Sequence, residues 1–457
     1  MDADLVIAAN RGPVTFVRGD DGGLVATHGA GGLASALGPL VRGTGATWVA
    51  AAMTDGDREA AARGLIEIDG YRYRCVVVDP RTYDLAYGAI SNTTLWFLHH
   101  RLWDLARQPR FDTAWREAWE AYRVFNRTVA DVIASDAPDA ATVLVQDFHL
   151  SLVATSLSKQ RPDLRLVHFH HIPFCEPEDL AVLPTAIAEE LLEGLSAHAA
   201  CGFHTDRWAD AFGRCCDAVL GQRPPTFVAP LGPDAASFDE VIASPAGDEA
   251  GRALDALVGD RRMILRVDRM EPAKNVLRGF LAFDELLGAH PEWVGRVVFV
   301  ALVYPSRQGI AEYVTYRHDV EALADDMNRR WGTDDWTPIV LDARDDFARS
   351  AAAMQRYDVL LVNPVRDGLN LVAKEGPMLN QRDGVLLLST EAGAWSELEN
   401  VALAVHPFDV SATADQLAVA LSMSPADRRV HAASVRDAAT RRSPRDWLAD
   451  QLAAASV

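Results

Sequence analysis

Short runs of β-branched and aliphatic residues recur along the chain, separated by longer stretches whose apolar positions repeat with a helical period. Leu5–Ala9, Ala46–Ala51, Cys75–Val78, Thr142–Val145 and Arg165–Phe169 read as strands, and Asp112–Ser135 and Leu150–Lys159 as amphipathic helices. Strand-like runs resume at Met263–Val267, Arg296–Val303, Pro338–Leu341, Val359–Val362 and Val385–Leu388. Such alternation predicts an α/β fold, with parallel sheets covered by helices on both faces. The pattern weakens between Pro224 and Asp260, where five prolines precede an acidic, alanine-rich stretch. A domain junction is expected near Pro233. Two such domains with a hinge form a cleft at their strand ends, where ligands usually bind.

Composition narrows the classes. The 457 residues fit two domains of roughly 200 each, and 49% apolar with 24% charged residues is ordinary globular chemistry. The longest apolar runs, such as Val297–Val303, are too short to span a bilayer, so no membrane association is expected. The acidic start Met1-Asp2-Ala3-Asp4 does not read as a secretory signal, and a cytoplasmic location is expected. Five cysteines without CxxC spacing read as reduced thiols rather than metal ligands. A formal charge of −20 disfavours nucleic acid as a partner. A few converging arginines can still hold an anion, because charges beyond about 8 Å are largely screened.

Four segments carry groups suited to chemistry. Asn10-Arg11-Gly12-Pro13 follows the first strand, and Gly29-Ala30-Gly31-Gly32-Leu33 precedes a helix. Glycines there let backbone N–H groups approach an anion, so Gly31 and Gly32 are donor-side candidates, and Arg11 can clamp a phosphate. The competing reading is a flexible turn with a surface arginine, and the glycines do not fit the dinucleotide fingerprint. Gln146-Asp147-Phe148-His149 and His170-His171-Ile172-Pro173-Phe174 stand at the ends of two strands. Asp147 and His171 lie where site residues gather, although a lone Asp there is often a cap and a lone His a core residue.

The third segment, Arg269-Met270-Glu271-Pro272-Ala273-Lys274, follows Met263–Val267 and leads into a helix. Two cations at this spacing suit a diphosphate whose charge grows as it leaves; solvated surface charge is the alternative. The fourth runs from Arg366 through Asp367, Gly368, Leu369, Asn370, Leu371, Val372, Ala373 and Lys374 to Glu375. Here a glycine turn opens a helix, its N–H groups can bind hydroxyls or phosphate, and Asp367 can accept from hydroxyls. Glu375, about two helical turns on, suits a ribose diol.

Taken in order, these segments resemble the trehalose-6-phosphate synthases, from Asn10 to about Phe408. The resemblance implies the GT-B fold, with two Rossmann-like doubly wound domains facing each other across a cleft. It assigns 1–233 to the acceptor and 234–440 to the nucleotide sugar, with a helix over 441–457 packing back on the first domain. The implied reaction moves glucose, with retention, from GDP-glucose or UDP-glucose to glucose 6-phosphate, with no cofactor. Assembly into a homo-oligomer is left open.

The resemblance also assigns roles. Arg11 and Arg307, the latter in Pro305-Ser306-Arg307-Gln308-Gly309, match the arginines that hold the acceptor phosphate. Tyr87 and Trp96, nine residues apart, match the aromatic pair of the acceptor site. Asp147 and His171 match sugar contacts, Arg269 and Lys274 the diphosphate contacts, Asp367 the donor-sugar contact and Glu375 the ribose contact. Three departures stand out: Trp48-Val49-Ala50-Ala51 lacks the second indole of a common Trp-x-Gly-Trp, Asn275 replaces a frequent Gly, and Cys175 replaces Pro or Thr. Uridine-using members place an aromatic 22 residues before the donor Asp, where this chain has Asp345, followed by Asp346. A carboxylate can accept from guanine N1–H and amino groups, so GDP-glucose is favoured, as in the actinomycete branch that the chain also resembles; a helix cap is the plainer reading. Related alternatives are a pseudo-glycosyltransferase joining cyclitols, a glucosylglycerol-phosphate synthase and a retired sugar-phosphate sensor.

Overall fold

The computed structural model describes residues 4–19, 23–28 and 32–456. The chain divides into two compact units, Met1–Leu231 with Pro444–Val457, and Gly232–Ser443.

The first unit is built on an eight-stranded sheet. Its spatial order is Thr226–Val228, Ala200–Phe203, Arg165–His170, Thr142–Gln146, Leu5–Ala9, Thr47–Ala51, Tyr71–Val76 and Ile66–Ile68. All neighbours are parallel except the last pair. Leu5–Ala9 is buried at every position, which is why it reads as a continuous apolar run rather than an alternation. The helix Thr113–Asp136 is capped by Asp112, whose carboxylate accepts from the Trp115 amide. The closing helix Pro444–Ala454 belongs to this unit: Trp447 is buried edge-on to Phe169, and Gln451 accepts from the Gln146 amide at 2.8 Å.

The second unit holds a six-stranded, all-parallel sheet ordered Ile339–Asp342, Val297–Pro305, Arg262–Met270, Val359–Val362, Val385–Ser389 and Leu403–Val405. Its core joins Phe280, Phe283 and Leu286 from one helix to Phe299 and Leu361 on the strands.

Ten of the strands overlap the runs that the hydrophobic pattern marks, Leu5–Ala9 and Val359–Val362 with the same bounds and the others with shifted ends. The pattern misses an antiparallel hairpin, Val14–Arg18 with Leu24–His28, the short edge strands Ile66–Ile68, Thr226–Val228 and Leu403–Val405, and the short inner strand Ala200–Phe203. Three or four residues offer too few alternations to register. One placement changes the chemistry: Arg269 does not follow its strand but lies inside it, because Arg262–Met270 continues beyond Val267.

In each sheet the strand order reverses beside the strand that starts the unit's winding. In the first unit the reversal falls between Leu5–Ala9 and Thr142–Gln146, in the second between Arg262–Met270 and Val359–Val362. Loops diverge at the carboxyl ends of such strand pairs and leave a crevice.

Candidate active site

In the first unit the crevice is flanked by Asn10-Arg11 and by Asp147-Phe148-His149. Arg11 donates to the Tyr87 hydroxyl at 3.2 Å, and the Trp48 indole donates to the Arg11 carbonyl at the same distance. Tyr87 stacks between Tyr83 and His149, at centroid distances of 5.5 and 5.7 Å. Asp147 adopts φ +71°, an uncommon conformation for a residue with a side chain. Its carboxylate accepts from the His171 amide at 3.2 Å, and the His171 ring meets the Gln146 side chain at 3.0 Å. Burial pushes the His171 imidazole down to about 3, so the ring is neutral near pH 7. Trp96 is only 5% exposed, lying against His100 and Phe148, so its indole is a wall beneath the site rather than an open face. Ala51, at the position of the missing indole, is buried in its strand.

Gly31 lies outside the described residues. Gly32 opens the helix Gly32–Val41, in line with the expected helix start.

The second unit's crevice is ionic. Strand alternation puts Arg266 and Asp268 on one face of Arg262–Met270, and Arg269 on the other. Buried Arg266 donates to Asp268 at 2.9 Å and to the Lys274 carbonyl at 2.8 Å. Lys274 contacts Asp367 at 2.6 Å and Asp268 at 3.8 Å. Burial opposes the Lys274 ammonium, but the two carboxylates outweigh it and its pKa stands above that of ordinary lysine. Asn370, at φ +77°, donates to the same Asp367 carboxylate at 3.1 Å.

Glu271 anchors a second group. It accepts from Arg269 at 2.9 Å, from Ser306 at 3.0 Å and lies 3.5 Å from Arg307, whose guanidinium also donates to Tyr313 at 2.5 Å. Burial favours its neutral form, yet Arg269, Arg307 and Lys274 hold its carboxyl below the usual range.

The loop from Asp367 to Leu371 packs tightly against Glu391–Ala394: a Cβ on Gly393 would meet the Gly368 carbonyl, and the Ala394 amide donates to Leu369. The following helix starts at Val372, so Glu375 lies in its first turn, not two turns into it. In that turn the Ala373 amide donates to the Asn370 carbonyl, and the Lys374 and Glu375 amides donate to the Leu371 carbonyl. Burial alone lifts the Glu375 carboxyl to about 7. Lys374, by contrast, is buried against Glu397 and serves the fold.

Asp346 caps the helix Phe347–Arg356 by accepting from the Arg349 amide, so for that residue the plainer reading holds. Asp345 is exposed and acts electrostatically on Tyr304, as does Arg269. Asn275 explains its own departure. It sits at φ +60°, where glycine is easiest, and its side chain donates to the Asn363 and Pro407 carbonyls.

Sequence reasoning passed over Glu271, Asp268, Arg266 and His149. The signal for the first three was present: opposite charges two residues apart on a strand share a face, and Arg266-Val267-Asp268-Arg269-Met270-Glu271 contains two such pairs. Among the described residues no group of three His, Cys, Asp or Glu is placed to hold a metal ion, and no helix is long and apolar enough to cross a membrane.

Two doubly wound α/β units are the architecture of the GT-B class of glycosyltransferases, and solved structures of that class match the chain. A trehalose-phosphate synthase from Burkholderia vietnamiensis superposes with a TM-score of 0.87 over 100% of both chains, at 28% identity. An E. coli structure bound with UDP-2-fluoro glucose gives 0.86 at 28% identity, covering 99% of each chain. A Burkholderia xenovorans trehalose-phosphate synthase in complex with glucose-6-phosphate gives 0.86 at 26% identity, over 99% of this chain and 100% of that one. The sequence signature of glycosyltransferase family 20 matches residues 3–456, and the chain belongs to that family. A bifunctional trehalose-6-phosphate synthase/phosphatase from Thermoproteus tenax is 33% identical over 94% of this chain, which spans only 61% of that relative's length. The UDP-forming trehalose-phosphate synthase of Schizosaccharomyces pombe is 31% identical over 93% of this chain and 85% of its own.

Proposed function

We propose that this glycosyltransferase moves glucose from a nucleoside diphosphate to glucose 6-phosphate, with retention, forming trehalose 6-phosphate. The observation that carries the reading is the ionic crevice of the second unit, where Arg269 and Lys274 stand beside the carboxylates of Glu271, Asp268 and Asp367. Both cations stay protonated at any working pH, and an arriving diphosphate can share them with the carboxylates they already hold.

In this mechanism the bond from the anomeric carbon to the diphosphate oxygen breaks as Arg269, Lys274 and the amides from Gly368 to Val372 take up the developing charge. The acceptor hydroxyl attacks from the same face and passes its proton to the departing oxygen. Catalysis comes from positioning and preorganised charge. Asp367 orients the donor sugar, and Glu375 accepts from the ribose diol. Asp147 and His171 meet the sugars, while Arg11, Tyr87, Trp96 and Arg307 serve the acceptor. Neutral His171, whose Nε2–H donates to the Gln146 side-chain oxygen, can accept a hydrogen bond from a hydroxyl at Nδ1 without adding charge. No cofactor enters the scheme.

The base preference rests on Asp345, whose exposed carboxylate suits guanine donors; the Schizosaccharomyces pombe and Burkholderia vietnamiensis relatives are UDP-forming. The deciding experiment measures turnover with GDP-glucose and UDP-glucose, each with and without glucose 6-phosphate. Absence of transfer from either donor overturns the activity. Equal use of both donors, or an unchanged preference in Asp345→Ala, overturns only the base assignment.

A further inference from the structure

Tyr87 and Trp96 lie at the two ends of an unusual element. Leu85–Leu95 is an eleven-residue π-helix, continued by the short α-helix Trp96–His100. Runs of π-helix rarely exceed a single turn and concentrate at functional sites.

The register decides where the two rings point. At 3.6 residues per turn, nine residues make two and a half α turns and place the rings on opposite faces. In a π-helix, with roughly 4.4 residues per turn, the same nine residues make close to two turns and place them on one face. The contacts follow the second case. Tyr87 stacks on His149 and Trp96 packs on Phe148, neighbours in a single turn. The Trp96 amide itself donates to the Ser91 carbonyl, five residues back.

The sequence between the rings supports the wide turn. Ser91 donates from its side chain to the Ala86 carbonyl, Asn92 to Tyr87, Thr93 to Gly88 and Thr94 to Ala89, at 2.8 to 3.0 Å. In an α-helix such side chains reach back three or four residues; here four in succession reach back five, giving each carbonyl a second donor. Thr94 is also pinned from outside, because the Trp115 indole donates to its hydroxyl at 2.9 Å. Tyr87 is pinned at the other end by Arg11 and the Tyr83 ring.

We infer that the π register, held by Asn92 and Thr94 and fixed to the helix Thr113–Asp136 through Trp115, is what brings Tyr87 and Trp96 to the same Phe148–His149 turn, Tyr87 to meet the acceptor and Trp96 as the wall beneath it. Asn92, Thr94 and Trp115 are positioning residues, and this assignment rests on the acceptor reading given above.

Thr94→Val removes the acceptor of the pin at unchanged shape, and Trp115→Phe removes its donor while keeping an aromatic ring. Each should raise the KM for glucose 6-phosphate at least fivefold, with GDP binding unchanged, and Thr94→Ser should restore wild-type behaviour. Unchanged acceptor KM in both variants overturns the inference, and so does an equal loss of GDP binding, which marks general damage. A crystal structure of Thr94→Val with both rings still on the Phe148–His149 turn overturns the pin directly. Arg11→Ala separates the two levels: if it leaves the glucose 6-phosphate KM unchanged, the acceptor reading fails whatever the helix register does.

Discussion

Around its switch point the first unit gathers rings, with Tyr87 stacked on Tyr83 and His149, Trp96 stacked on His100, and His171 packed against His204 and Trp447. The second unit gathers ion pairs, with Arg266, Arg269, Lys274 and Arg307 set among Asp268, Glu271 and Asp367. The same burial therefore has opposite results. Buried imidazoles without a carboxylate close by are held below their ordinary range, whereas Arg269 and Lys274, each with a carboxylate within 4 Å, stand above theirs. One surface offers flat faces and neutral hydrogen-bonding groups, which suit a sugar. The other offers fixed charge, which suits a diphosphate.

The largest test of this contrast removes charge from the second unit. Arg269→Ala and Lys274→Ala should each slow turnover by about 2.7–4 kcal/mol, the cost of one preorganised donor to developing charge. Steady-state kcat measures it, and near-wild-type turnover in either variant would return that cation to the role of surface charge.

Acid should separate the units next. Burial holds His168 and His170 well below the ordinary imidazole range, His171 near about 3 and His198 near about 4. Unfolded imidazoles titrate near about 6.5, so below that pH the unfolded state binds more protons. The stability these groups contribute is complete above pH ~6.5 and declines as pH falls towards their folded values. In the second unit His431 behaves likewise, near about 4, whereas the lowered carboxyl of Glu271 defers its loss to the carboxylate range. Hydrogen exchange at pH 7 and pH 4.5 should show the first unit losing protection first, by on the order of 1–3 kcal/mol. Equal loss in both units would break the comparison.

Arg307→Ala should raise the KM for glucose 6-phosphate about tenfold, roughly 1.4 kcal/mol. GDP affinity, measured by calorimetry, should barely change. Equal weakening of both would move Arg307 to the donor side, and no change in either would leave it a structural partner of Glu271 and Tyr313.

The smallest effect concerns Glu375. Its carboxyl titrates near about 7, and a ribose diol needs the ionised form as acceptor. GDP affinity should therefore rise severalfold, by less than about 1.4 kcal/mol, as pH increases from 6 to 8, and Glu375→Gln should flatten that rise. A wild-type affinity independent of pH over this range would exclude the diol contact.

Much of this molecule was legible in its residues. Long, fully buried strands such as Leu5–Ala9 and Val385–Ser389 declare themselves as apolar runs, because both of their faces meet helices. The chemistry-bearing loops are legible for a related reason: a parallel strand must end, and Arg11, Asp147, Lys274 and Asp367 stand just beyond such ends. Tertiary structure decided the rest. Whether Asp346 caps a helix while Asp345 stays exposed depends on where the helix begins. The elevated carboxyl of Glu375 depends on burial by neighbours distant in sequence, and the partner that keeps Lys274 charged lies 93 residues away. The π register of Leu85–Leu95 is the clearest case: local propensity favours an α turn, and the choice between the two is made with help from a Trp115 hydrogen bond on another helix. Strand burial is a property of composition along the chain, but register, charge state and ring orientation arise from contacts that exist only after the chain has folded.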